Sequence, residues 1–229
     1  MFQDKITDVF FDLDHTLWDF DKNSELAFDK IFKENYHPID TKSFVEIYAP
    51  INQACWKLYQ FDKITHEELR YRRLKDSFDS LNYSISDEQI NQISIDYITF
   101  LPENNILFEG AKEVLEYLNA KYNLHIITNG FAEVQYKKIN NSGISHYFET
   151  ITNSEMAGVK KPNPKIYEHA LNLAKAEKQN AIMIGDCIDA DVKGALDFGI
   201  SAIFFNPEKK EVPLTVPSVT HLTELKNLL

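Results

Sequence analysis

FFDLDHT, Phe10 to Thr16, decides the fold. The run from Thr7 to Asp12 is largely apolar with β-branched and aromatic members, the composition of a strand covered on both faces of a parallel sheet. Its polar end carries Asp12 and Asp14, two residues apart. On a straight strand they would share a face, but the strand is expected to end between or just after them. One carboxylate can then act as an attacking group while the other sits beside a leaving oxygen.

Three further segments follow in order: IITNG at Ile126 to Gly130, VKKP at Val159 to Pro162, and MIGDCIDAD at Met183 to Asp191. The first and last of these also close apolar runs, at Leu124 to Thr128 and Ala181 to Gly185, and similar runs lie around Glu149 to Thr152 and at Ala202 to Phe205. Helical patterns separate them. Ala111, Val114, Leu115 and Leu118 have the spacing of one buried helix face. Asn163 before Pro164 reads as an N-cap and first helical residue. Another helix is expected from near Asp191 to Phe198, stopped by Gly199. Strands alternating with helices specify an α/β fold with a doubly wound parallel sheet, and the polar strand ends should gather at one edge of it.

Residues 18–101 break the alternation and read as helices only: Asn23 to Tyr36, Thr41 to Tyr59, Thr65 to Leu81 and Ser86 to Leu101. Thr65 with Glu68, and Ser86 with Gln89, have the capping-box spacing. Pro50 is expected to kink or split the second helix. The expected organisation is an α/β core of residues 1–17 and 102–229 with an all-helical insert of residues 18–101 after the first strand.

At 229 residues the chain is long enough for a large core with an insert, and 44% hydrophobic with 26% charged residues is an ordinary globular balance. A net charge of −11 argues against a nucleic-acid polymer as partner, since no basic stripe is available to displace counterions. The start, MFQDKITDVFF, resembles no signal or transit peptide, and no apolar stretch is long enough to span a bilayer. Cys55 and Cys187 form neither a CxxC motif nor a disulfide framework, so a reducing cytoplasm is the expected setting.

Gathered at one sheet edge, several carboxylates, a hydroxyl and a lysine suit Mg2+ and a phosphate group, with an aspartate free to attack phosphorus. A calcium loop on the Asp12 segment fails at two positions, because Leu17 stands where such a loop needs glycine and Asn23 where it needs a bidentate glutamate. Thr128, Asn129 and Gly130 end a strand just before a helix expected near Phe131, where a hydroxyl and backbone amides can cradle a phosphate. Lys161 precedes Pro162, which restricts its backbone. Asp186 stands at a strand end with Asp189 and Asp191 after it; Asp186 is the expected metal ligand, Asp191 is placed to orient Lys161 or a metal-bound water, and one of the three can serve as an N-cap. Cys187 reads as a small packing residue. Trp18, Phe20, Tyr48, Trp56 and Tyr59 can stack on a base, although helix packing is the more ordinary use of each.

Together the four segments resemble the haloacid dehalogenase superfamily in its phosphatase branch, over essentially the whole chain. The resemblance implies Asp12 as nucleophile and Asp14 as acid and base, with Thr128 and Lys161 on the phosphoryl group. Mg2+ would be held by Asp12, the Asp14 backbone carbonyl, Asp186 and Asp191, and the helical insert would be a C1-type cap that closes over substrate. FFDLDHTLWDFDKN, ITNGFAEVQYKK and ISHYFETITNSEMAGVKKPNPKIYEHAL are similar to the pyrimidine 5′-nucleotidase subgroup, which implies (deoxy)pyrimidine or modified nucleoside monophosphates as substrates. Cys187 departs from the serine or threonine common after the motif aspartate. A sugar-phosphate phosphatase or phosphomutase fits the same motifs, whereas a dehalogenase lacks a counterpart of Asp14 and needs no metal.

Overall fold

The computed structural model describes residues 5–34, 38–211 and 215–229. Met1 to Asp4, which open the amino-terminal segment read above, and Tyr36, the expected end of the first long helix, lie outside the described residues. The chain divides into two compact units, one formed by Met1–Asp19 with Ile106–Leu229 and the other by Phe20–Asn105.

The first unit is built on six parallel strands: β1 (Asp8–Phe11), β2 (Asn123–Thr128), β3 (Phe148–Asn153), β4 (Ala181–Gly185), β5 (Ser201–Phe205) and the two-residue β6 (Ser218–Val219). Their order is β3-β2-β1-β4-β5-β6, so the winding reverses between β1 and β4. That reversal opens a crevice at the carboxyl ends of the strands, where open α/β sheets bind ligands. Register fixes what meets there. Asp8 pairs with Asn123 on one side and Ala181 on the other, and Phe11 with Ile126 and Ile184, so Asp12, Thr128 and Asp186 emerge at the same edge. The strands are apolar throughout because both faces are covered. Phe10, Met183, Ile127, Ala202 and Phe204 meet Ile166, Tyr167, Ala170 and Leu171 of the helix Pro164–Ala174 on one face. That helix starts as expected, with the Asn163 side chain accepting from the Lys165 N–H and Pro164 in the first turn.

The turn after β4 differs from the expected α-helix. Ile188–Lys193 is π-helical, and only Gly194–Phe198 is α-helical before Gly199 stops it at φ 99°. The Val192 N–H reaches the Cys187 carbonyl five residues back (3.2 Å), and the wide turn carries Asp191 to a position only 1% exposed. The N-cap is not one of the aspartates: the Cys187 thiol accepts from the Ala190 N–H at 3.4 Å.

The second unit comprises α1 (Phe20–Glu34), α2 (Thr41–Gln60), α3 (His66–Ser80) and α4 (Asp87–Phe100). Thr65 and Ser86 each complete a capping box, with Glu68 and Gln89 as the reciprocal partners. A cap of this kind contributes about 1 kcal/mol. The helices bury an aromatic cluster in which Phe28 stacks on Tyr97 at 4.6 Å and meets Tyr48 and Phe44 edgewise at 4.7 and 4.8 Å. Of the kink or split expected at Pro50, the split does not occur, and α2 runs through the proline. Proline removes one N–H from the helix ladder, while Phe44, Tyr48, Asn52 and Cys55 bury one continuous face on both sides of it and hold the helix together. None of the described helices is long and apolar enough to cross a membrane.

Two short stretches lead out of and back into the first unit. The Asp19 N–H donates to the Ile106 carbonyl (3.0 Å), the Phe108 N–H donates to the Leu17 carbonyl (2.9 Å), and Trp18 and Leu107 form an antiparallel bridge.

Candidate active site

β1 ends at Phe11, and the chain continues past Asp12 into a turn in which His15 takes the left-handed region at φ 60°. The Leu17 and Trp18 N–H groups both return to the Leu13 carbonyl at 2.9 Å, closing the turn. Asp12 thus remains on the sheet edge, anchored by its N–H to the Ile184 carbonyl (2.9 Å), while Asp14 lies past the strand end.

Lys161 joins the separate motifs. Its Nζ donates to Asp12 Oδ1 (2.8 Å), Asp191 Oδ1 (2.6 Å) and the Ile127 carbonyl (2.7 Å), satisfying all three ammonium donors in a position 1% exposed. The Lys161–Pro162 bond is cis, and the Asn129 carboxamide holds the Lys161 backbone on both sides, accepting its N–H (2.7 Å) and donating to its carbonyl (3.0 Å). Burial pulls the Lys161 ammonium down, but Asp12 and Asp191 outweigh it and hold the group above its ordinary value.

Asp12, Asp186 and Asp191 each offer a carboxylate oxygen within 4.8 Å of the others. Burial pushes Asp12 up to about 7 against the pull of Lys161, with Asp191 and Asp14 adding repulsion. Asp186 is pushed up to about 6 by burial, opposed by His15, and Asp191 is also raised by burial. Asp191 has both oxygens occupied, by Lys161 and by the Cys187 N–H (2.9 Å). Asp12 Oδ2 and Asp186 Oδ2 have no hydrogen-bond donor among the described residues, Asp186 Oδ1 accepting from Thr16 at 3.1 Å. Two buried carboxylates, Asp12 and Asp191, share one lysine ammonium, and the half-buried Asp186 lies beside them. Hard oxygen donors in negative surplus fit a divalent cation such as Mg2+, which would offset their mutual repulsion.

Gly185 has a steric reason. A Cβ there would stand 2.3 Å from the Asp191 carboxylate, so only glycine lets that side chain fold back under the strand end. Gly130 is similar, since its Cβ would stand 2.5 Å from the Gln135 amide. The Gly130 N–H is not free for a phosphate, as the sequence suggested; it donates to Thr128 Oγ1 at 3.1 Å.

Sequence reasoning missed two residues. Gln135 and Lys138, on the helix Ala132–Asn141, are 1% and 2% exposed and reach the Asp14 carboxylate, Gln135 Nε2 at 2.9 Å and Lys138 Nζ at 2.6 Å. The available signal was their three-residue spacing on a helix opening directly after Thr128, which places both on one face. Asp189 is not part of the group formed by Asp12, Asp186 and Asp191, and its carboxylate lies 3.9 Å from Lys193. Burial pushes the Cys187 thiol up to about 12, which suits a packing role. Trp18 is fully buried in the first unit beneath the Lys138 ammonium (4.3 Å). In the second unit Phe20 and Tyr48 are buried, and Trp56 meets Tyr59 edgewise at 5.6 Å.

A family description, haloacid dehalogenase-like hydrolase, matches residues 8–199. The chain is 31% identical over 205 residues to the pyrimidine 5′-nucleotidase PynA of Streptococcus pneumoniae, covering 89% of this chain and 85% of that one. It is also 31% identical over 201 residues to a glyceraldehyde 3-phosphate phosphatase of Pyrococcus abyssi, covering 86% and 80%. Among solved structures, the HAD-hydrolase YfnB of Bacillus subtilis bound to magnesium superposes with a TM-score of 0.87 at 27% identity, covering 98% of this chain and 99% of that one. The chain belongs to the haloacid dehalogenase-like hydrolases.

Proposed function

We propose that this protein is a Mg2+-dependent phosphomonoester hydrolase that works through an aspartyl phosphate on Asp12, with pyrimidine nucleoside 5′-monophosphates as its substrates. The observation that carries the reading is the position of Asp12: at the winding reversal of the sheet, one oxygen tied to Lys161 and the other left without a donor beside Asp186. A carboxylate so oriented can attack only with its open oxygen.

In the first half-reaction Asp12 Oδ2 bonds to phosphorus as the ester P–O bond breaks, and Asp14 delivers a proton to the departing alkoxide. In the second, Asp14 takes a proton from water, the water oxygen bonds to phosphorus, and the P–O bond to Asp12 breaks, releasing inorganic phosphate and restoring ionised Asp12 and protonated Asp14. Lys161 and the Thr128 hydroxyl offset charge on the phosphoryl oxygens, where positioning and electrostatics do most of the work in phosphoryl transfer. Mg2+ held by Asp12, the Asp14 carbonyl and Asp186 would supply a further fixed positive charge there, with Asp191 keeping Lys161 in place. The helical unit, read as a cap, would choose the substrate.

The nucleotide assignment is supported by the PynA likeness, and the Pyrococcus abyssi relative favours a second reading, a small phosphosugar. Asp14 and Asp186 weigh against carbon–halogen hydrolysis, which needs neither a proton donor for the leaving group nor a metal. The test is phosphate release, with Mg2+ and with chelator, from deoxypyrimidine monophosphates, purine monophosphates and triose and hexose phosphates. Mg2+-dependent release that is fastest with the pyrimidine set is the expected outcome. Preference for a phosphosugar would replace the substrate, and no release from any monoester would remove the phosphatase reading.

A further inference from the structure

We infer that Gln135 is a positioning residue of this site: its carboxamide sets the direction in which Thr128 offers its hydroxyl proton and pins the Asp14 carboxylate in the same stroke. The inference rests on reading Thr128 and Asp14 as phosphoryl-transfer residues, and it adds to them a side chain that touches neither substrate nor metal.

The amide nitrogen carries two hydrogens, and both are spent inside the site. One goes to Thr128 Oγ1 at 2.7 Å and the other to Asp14 Oδ2 at 2.9 Å. The amide nitrogen faces both groups, and turning the carboxamide over would set its oxygen against the Asp14 carboxylate in its ionised form. Thr128 Oγ1 therefore receives two donors, Gln135 and the Gly130 N–H at 3.1 Å. A hydroxyl oxygen has two acceptor positions and one proton. With both acceptor positions filled, Thr128 can act toward anything else only as a donor, the role an anionic phosphoryl oxygen requires. A freely rotating hydroxyl would have to be reoriented at each turnover; this one is preset.

The same amide acts on Asp14. Lys138, one turn further along the helix, takes Oδ1 at 2.6 Å while Gln135 takes Oδ2, so the carboxylate is gripped at both oxygens by one helix face. Gly130 is part of the device. The Gln135 Cδ and Nε2 lie 2.5 Å from where a Cβ would stand, so any larger residue at 130 would expel the amide from between its two acceptors.

Gln135→Met keeps the length and removes both donors. We expect it to lower kcat/KM for phosphate release about 10- to 100-fold, mostly through kcat. Thr128→Val should lose a similar amount, and the double variant should fall no more than about threefold below Thr128→Val alone, because the two act through one hydroxyl. A residue that merely packs would give losses that multiply. Gln135→Glu should lose more than Gln135→Met, since its carboxylate would accept the Thr128 proton and turn the hydroxyl away; it carries the same comparison if methionine at 135 unfolds the protein. Inorganic phosphate binding in the presence of Mg2+, followed by calorimetry, separates this inference from the phosphatase reading. If the wild type releases phosphate while Gln135→Met retains full rate and phosphate affinity, or the losses multiply, the role of Gln135 is overturned and the phosphatase stands. If the wild type turns over no monoester but binds phosphate, weaker binding by Gln135→Met supports the preset hydroxyl without the reaction. Equal binding by the two proteins removes it.

Discussion

The two units bury different things. In the helical unit the interior is a stack of rings, Phe28, Phe32, Phe44, Tyr48, Phe78 and Tyr97, and its buried guanidinium, Arg73, lies 5.1 Å from the Tyr97 ring and 3.3 Å from Asn52. In the α/β unit the sheet core is equally apolar, but at the carboxyl edge it gives way to buried charge: Asp12, Lys161 and Asp191, with Asp14 and Lys138 beside them. Apolar packing tolerates exchange of one ring for another of similar volume. A buried ionic network does not, because removing one partner leaves another charge uncompensated in low dielectric. The first interior can drift in sequence and reshape what it presents; the second is fixed by its chemistry.

The contrast is broken most sharply at Asp12. Asp12→Asn should abolish phosphate release, by about a thousandfold or more, while far-ultraviolet circular dichroism stays unchanged. A folded variant with near-normal turnover would remove the nucleophile from its place. Next in size, Lys161→Met should cost about 3–5 kcal/mol in urea denaturation, since Asp12 and Asp191 would face each other without the ammonium between them. That loss should be larger at pH 8 than at pH 5, where the carboxylates take up protons, and a pH-independent loss would contradict the ionic account. Phe28→Ala tests the other interior. A destabilisation of about 3–5 kcal/mol is expected from deleting a ring packed against four others, with the Tm shift from added Mg2+ preserved.

The smallest effect is a pH dependence. Asp12 and Asp186 bind protons more tightly when folded than when unfolded, being pushed up to about 7 and about 6. The folded state then holds more protons across that interval, so without metal stability should fall as pH rises from the ordinary carboxylate range through about 7. Metal needs the same oxygens ionised. Saturating Mg2+, worth about 2.7 kcal/mol at a hundredfold excess over Kd, should therefore raise Tm more at pH 8 than at pH 5.5. Equal shifts at both values, measured against chelator, would place the cation elsewhere.

Much of the fold was legible because its signals are local. The apolar run of β1, the Thr65 and Ser86 capping boxes and the Asn163–Pro164 helix start each depend on residues within a few positions of one another. The candidate aspartates stood at strand ends, where topology alone brings them to one edge. What escaped depends on contacts distant in sequence. Gln135 and Lys138 look like ordinary surface polar residues of a helix until Asp14, more than 120 positions earlier, lies beside them. The π turn at Ile188–Lys193 has no compositional mark, and β6 is two residues held by pairing with β5. At Pro50 a strong local signal did not end the helix, which continues with buried residues on both sides of it.

The paired connectors at Leu17–Asp19 and Ile106–Phe108 carry one more implication. Where a polypeptide leaves and re-enters a scaffold through two strands already bonded to each other, the cost of closing the loop is met before anything is inserted, and it grows only slowly with the length of the excursion. Such a junction behaves as a socket. Exchanging the excursion for a longer or shorter one should then cost little in closure entropy, and joining Asp19 to Ile106 through a short hairpin tests whether the first unit folds when bare.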